Sequence, residues 1–115
     1  MGTTIEDRQL DSLFTALSDH TRRDIVARLS SGEATVKELA EPYAMSMQAV
    51  SQHIRVLERS GLISQGRHRQ TRPCRLEPAA LETALSWIEE SRRTWSERMD
   101  RLETHLGRLQ EGENR

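Results

Sequence analysis

The chain has 115 residues, 35% of them hydrophobic and 30% charged, with 17 basic and 18 acidic side chains and a formal net charge of −1. That is the size of one domain, and a small one whose core leaves apolar surface for a partner subunit to cover. The single cysteine excludes an internal disulfide, no apolar run reaches the ~18 residues of a membrane span, and the first residues lack the apolar stretch of a secretory signal. The expectation is one soluble, cytoplasmic domain over 1–115, without a membrane partner.

Leu10, Leu13, Phe14 and Leu17 recur at i, i+3, i+4, i+7 and predict a first helix over 6–17. Ser18 and Asp19 break it and offer an N-cap. A second helix follows from His20 to Ser30, with Ile25, Val26 and Leu29 on one side and Gly32 placed as a left-handed C-cap. Thr35 and Glu38 form a capping box that opens a short third helix, stopped near Glu41 by Pro42. Ser46 caps a fourth helix that runs to about Ser60, with Val50, Ile54 and Leu57 facing inward and Gly61 at its end.

Leu62–Ser64 and Pro73–Leu76 read as two short strands around a polar, basic tip. Pro78 then starts a long last helix, to about Gln110, roughly 45 Å at the usual rise per residue. Leu81, Leu85, Ile88, Arg92, Trp95, Met99, Leu102, Leu106 and Leu109 alternate by four and three along it. This is a heptad seam with Arg92 as its one polar member. Glu97 with Arg101 and Glu89 with Arg93 have the spacing of ion pairs on the outer face.

The predicted order is α-α-α-α-β-β-α: a mainly α fold with a small β-hairpin and a long C-terminal dimerisation helix. The third and fourth helices make a helix-turn-helix over about 36–60, the hairpin a wing over about 62–76, and the last helix covers about 78–110.

The near-zero net charge argues against nucleic acid only until it is divided along the chain. Between Ser46 and Arg75 stand Arg55, Arg59, Arg67, Arg69, Arg72 and Arg75 against Glu58 alone, a surplus of five positive charges, and the remainder carries six negative. Such a basic stripe on a helix-turn-helix and wing is the electrostatic footprint of a phosphate backbone. Burying Val50, Ile54 and Leu57 turns Met47, Gln48, Ser51, Gln52 and Arg55 outward. Gln pairs with adenine edges, Arg with guanine, Ser with either, and Met meets the thymine methyl. Ser46 and the free amides beside it suit a phosphate. The wing adds Arg67, His68, Arg69 and Arg72. The reading that competes is a winged-helix module for protein association, which has no need of this charge.

The segment from Leu13 to Val26 (LFTALSDHTRRDIV), together with Thr35–Ala40 and Met45–Ile63, resembles the ArsR/SmtB family of prokaryotic winged-helix repressors. The resemblance covers about residues 7–106. It implies a homodimer joined through the first and last helices, bound to a pseudo-palindromic operator in double-stranded DNA. The interface would then hold Leu10, Phe14, Leu81, Leu85, Ile88, Trp95, Met99 and Leu102. The family's recognition contacts fall on Met47, Gln48, Ser51 and Gln52. His53 belongs to the same motif, with packing or a phosphate contact ranked above base reading. His20 and Gln48 stand where many members have proline.

The family's metal sites find no counterpart. The helix before the recognition helix, Val36–Glu41, has no cysteine, and the last helix has only His105. No metal or cofactor is expected. Cys74 reads as a small core residue, and Trp87 and Trp95 as interface core. The chain thus resembles the metal-independent branch, in which control comes through abundance, a small ligand or a partner. No phosphate loop, nucleophile elbow or zinc-hydrolase signature is present, so the chain is not read as an enzyme.

Overall fold

The computed structural model describes residues 4–67 and 71–113. In chain order these form α1 (Ile5–Leu17), α2 (His20–Leu29), β1 (Ala34–Thr35), α3 (Val36–Ala40), α4 (Met47–Arg59), β2 (Ile63–Gln65), β3 (Pro73–Leu76) and α5 (Pro78–Glu113). The architecture is mainly helical with one small antiparallel sheet, and it follows the predicted order with one strand added. Contacts divide the chain into two compact units, residues 1–84 and 85–115.

Side chains that satisfy orphan amides set where the helices of the first unit begin. Thr4 and Asp7 form a reciprocal capping box on α1, with Asp7 N 3.0 Å from Thr4 Oγ1. Asp19 accepts from the amide of Arg22 at 3.1 Å to open α2. The predicted Thr35–Glu38 box opens α3, and Ser46 accepts from the amide of Ala49 at 3.1 Å to open α4. At the end of α4, Gly61 takes φ 85°, its amide donates to Glu58 O at 3.0 Å, and Leu62 N donates to Leu57 O at 3.1 Å. That is a Schellman motif, and Leu57 and Leu62 supply the buried apolar pair that accompanies it.

Gly32 differs from expectation. Its φ of 149° is positive but far from the left-handed helical value near 57°, and α2 already ends at Ser30 with ordinary helical angles. Gly32 therefore turns the chain toward β1, while its amide still donates to Leu29 O at 3.2 Å at the end of α2. β1 was not predicted. It is two residues long and has no sequence pattern of its own, only a partner: Ala34 pairs with Cys74 and Thr35 with Pro73. The sheet order is β1-β3-β2, with Ile63 opposite Leu76 and Gln65 opposite Cys74. Pro73 is tolerated as the first residue of the middle strand, and its carbonyl accepts from Gly66 N at 2.9 Å to close the hairpin.

The core joins Leu13 and Ala16 of α1, Ile25, Val26 and Leu29 of α2, Leu39 of α3, Val50, Ile54 and Leu57 of α4, Leu62, Ile63 and Cys74 from the sheet region, and Ala80 and Ala84 of α5. Ala80 and Ala84 were not singled out from the sequence, where larger neighbours dominate the pattern. Their small side chains let the first turns of α5 approach the core closely. Leu81 also packs against this core. In the second unit α5 is exposed along its length, and Leu85, Ile88, Trp95, Met99, Leu102, Leu106 and Leu109 remain open to solvent.

Candidate nucleic-acid interface

α4 is strongly amphipathic because its three inward residues repeat by four and three. Val50, Ile54 and Leu57 are essentially fully buried. Met47, Gln48, Gln52 and Arg55 are exposed as expected, and Ser51 is half-buried. Ser46 is exposed at the N-cap, with its oxygen accepting from Ala49 N. The helix thus presents a run of short, planar or polarisable side chains from its first three turns, with the positive end of its dipole beside them.

His53 sits between the two faces, and its surroundings favour the packing role. Its Nδ1 lies 3.1 Å from Arg22 Nη1 and 3.8 Å from Asp19 Oδ2, and its side chain is 21% exposed. It is a packing residue tied to the start of α2. Asp19 is held below the usual carboxylate range, first by the amide of Arg22 and further by the charge of the Arg22 side chain.

The remaining basic residues divide by partner. Arg22 Nε donates to Ala16 O at 2.7 Å, and Arg23 Nη1 donates to Leu17 O at 2.8 Å, so both close the C-terminus of α1. Arg28 donates to Leu39 O at 2.7 Å and to Glu38 O at 3.1 Å, closing α3. These three cations are used inside the fold. Sequence reasoning missed them because the acceptors are backbone carbonyls in other helices, which no residue pattern announces.

On the wing, Arg67 and Arg72 are exposed, and Arg75 is 3.8 Å from Glu33 Oε1 and 3.7 Å from Glu77 Oε1. Arg75 therefore adds little to the positive field. Among the described residues, Arg55, Arg59, Arg67 and Arg72 form no ion pair. They lie on α4 and in the connection between β2 and β3. His68 and Arg69, expected on the wing, lie outside the described residues.

Cys74 is fully buried in the middle strand, and burial, reinforced by Glu58, pushes its thiol up to about 11. A thiol so protonated and covered is a poor nucleophile. Among the described residues no group of three or more His, Cys, Asp or Glu side chains is placed to hold a metal ion. No helix there is long and apolar enough to cross a membrane.

The residues expected at a subunit interface fall into two settings. Leu10 is half-buried and Phe14 partly exposed on α1, while Leu81 serves the core. Leu85, Ile88, Trp95, Met99 and Leu102 are between 38% and 63% exposed, and Ile5, Trp87, Leu106 and Leu109 extend the apolar surface beyond the expected set. The Glu97–Arg101 and Glu89–Arg93 pairs do not close among the described residues. Long exposed side chains gain little from pairing over hydration.

Known proteins resemble this chain in sequence and fold. Residues 17–65 match the helix-turn-helix domain family. The chain is 30% identical over 79 residues to the transcriptional repressor SdpR of Bacillus subtilis (strain 168), covering 69% of this chain and 88% of that one. It is 42% identical over 81 residues to the HTH-type transcriptional regulator Rv2034 of Mycobacterium tuberculosis, covering 68% and 76%. The crystal structure of the ArsR family transcriptional regulator RHA00566 is similar with a TM-score of 0.74 and 36% identity, over 84% of this chain and 97% of that chain.

Proposed function

The chain belongs to the ArsR family of winged helix-turn-helix transcriptional regulators, and from that premise we propose that it is a homodimeric repressor of transcription acting in the cytoplasm. One observation carries the reading: α4 turns Met47, Gln48 and Gln52 outward beside Arg55, Arg59, Arg67 and Arg72, none of which is spent on an ion pair among the described residues. Outward glutamines with short neighbours suit base edges in the major groove, and these arginines on helix and wing suit phosphates.

The proposed division of labour follows from chemistry. Met47, Gln48, Ser51, Gln52 and Arg55 read bases. Ser46 and the first amides of α4 hold a phosphate at the positive end of the helix. Arg67 and Arg72, together with His68 and Arg69 next to Arg67 in sequence, hold the flanking backbone or minor groove. Leu10 and Phe14 on α1 and the apolar seam of α5 join two copies, so that two reading heads meet a two-fold symmetric site. Occupying a promoter this way blocks transcription by binding alone and requires no catalysis.

Selection of duplexes from a random pool tests this. The expected result is a two-fold symmetric consensus of two half-sites about one helical turn apart. Enrichment of no sequence above background would overturn it.

A further inference from the structure

The apolar residues that bury α4 do not by themselves fix its rotation. Val50, Ile54 and Leu57 are held by burial, which is non-directional, whereas base reading requires side chains placed to within about 0.5 Å. A directional tether is needed, and Arg22 supplies one. Its Nε donates to Ala16 O at 2.7 Å and its Nη2 to Thr15 O at 3.1 Å, both in the last turn of α1. Its remaining arm, Nη1, points to His53 Nδ1 at 3.1 Å. One planar guanidinium therefore joins α1, α2 and α4.

The chemistry of the pair fixes the state of the ring. Guanidinium can only donate, so Nδ1 of His53 is the acceptor and carries no proton. The bond therefore requires the tautomer with its proton on Nε2. His53 directly follows Gln52 and lies two residues from Ser51, so its anchorage governs how both are presented.

We infer that Arg22 is a positioning residue for sequence discrimination: by bonding at once to the end of α1 and to His53, it sets the rotation of α4 and couples it to the helix proposed to join the subunits. This rests on the assignment of α4 as the reading helix.

The test starts from the best duplex selected by the parent protein and a scrambled duplex of equal length, with binding read by fluorescence anisotropy. Arg22→Gln, which cannot reach both carbonyls and the ring, is expected to lower the ratio of specific to non-specific affinity at least tenfold. Its binding to scrambled duplex at low salt should stay within about twofold of the parent. His53→Leu should reproduce that loss with the α1 contacts intact. His53→Asn, whose Oδ1 takes the place of Nδ1 as acceptor, should restore most of the ratio. Ring-nitrogen NMR of the free parent should show His53 protonated at Nε2 only.

An unchanged ratio in Arg22→Gln or His53→Leu, or a proton on Nδ1, overturns the tether and leaves the reading helix standing. A parent that selects no duplex overturns the reading helix itself. If Arg22→Gln does not fold, the two His53 variants and the NMR signal decide.

Discussion

The guanidinium of Arg28 lies 5.4 Å from the ring centroid of Tyr43 while donating to the carbonyls of Leu39 and Glu38. Tyr43 in turn donates its hydroxyl to Asp24. The arrangement closes the C-terminus of α3, a helix of five residues that cannot hold itself. Hydrogen bonds from a charged donor are worth roughly 1.5–3 kcal/mol, and a partly exposed cation–π contact adds about 0.5–1. Arg28→Ala is expected to destabilise the protein by about 2–3 kcal/mol in urea unfolding. Arg28→Lys should recover only part of this, because an ammonium cannot match two carbonyls and a ring face together. A loss under about 0.5 kcal/mol would show that the contact is not a structural one.

Cys74 yields a prediction about oxidants. Its thiol is buried and raised to about 11, against an ordinary 9.0. Below pH 9 the thiol is protonated whether the chain is folded or not, and its contribution to stability is fully present. As pH rises through the window from about 9 to 11, the unfolded chain ionises first, so stability falls with rising pH. At pH 8 a thiol reagent should label Cys74 at the rate of global unfolding, and peroxide should leave DNA affinity unchanged. Rapid labelling of native protein would restore Cys74 as a candidate sensor.

The elements most legible in the sequence are those whose signals are local. Thr35 and Glu38, Ser46 and Ala49, and Gly61 after Arg59 are capping relations within four residues, and they bracket the helix-turn-helix to within a residue. The period of Val50, Ile54 and Leu57 then divides α4 into an inward and an outward face. What was not legible is non-local. β1 exists only opposite Cys74 and Pro73. Ala80 and Ala84 carry the contact of α5 with the core because they are small, whereas a search for apolar periodicity favours large side chains. The charge division was legible in sign but not in partners: Arg75 is paired with Glu33 and Glu77.

Gln52 and Arg72 separate base reading from backbone contact. Both are exposed, so replacing either with alanine costs the fold little. Gln52→Ala is expected to weaken the selected duplex by about 1–3 kcal/mol, to relax base preference at one position of each half-site, and to leave scrambled DNA unaffected. Arg72→Ala should weaken both duplexes alike and reduce the slope of log K against log salt by about one per subunit. Anisotropy titrations over a salt series measure both. Parental behaviour of both variants would instead favour a winged-helix module that associates with proteins.

Trp95 tests how two copies join. It is 63% exposed and stands in a row with Leu85, Ile88, Met99, Leu102, Leu106 and Leu109. Such an apolar seam suits a partner rather than water. Because it lies on the surface, Trp95→Glu should change the helicity and melting of an isolated protomer little. In a symmetric dimer the substitution acts twice. A buried interface tryptophan contributes about 2 kcal/mol or more, so two copies raise the dissociation constant by about three orders of magnitude. Light scattering should then report a dimer for the parent and a monomer for Trp95→Glu at micromolar concentration. Arg92 is the polar interruption of the same row, and Arg92→Leu should tighten the dimer by removing a charge from the seam. An unchanged mass for Trp95→Glu, or a weaker dimer for Arg92→Leu, would place the subunit contact elsewhere and leave the α5 seam to another occupant.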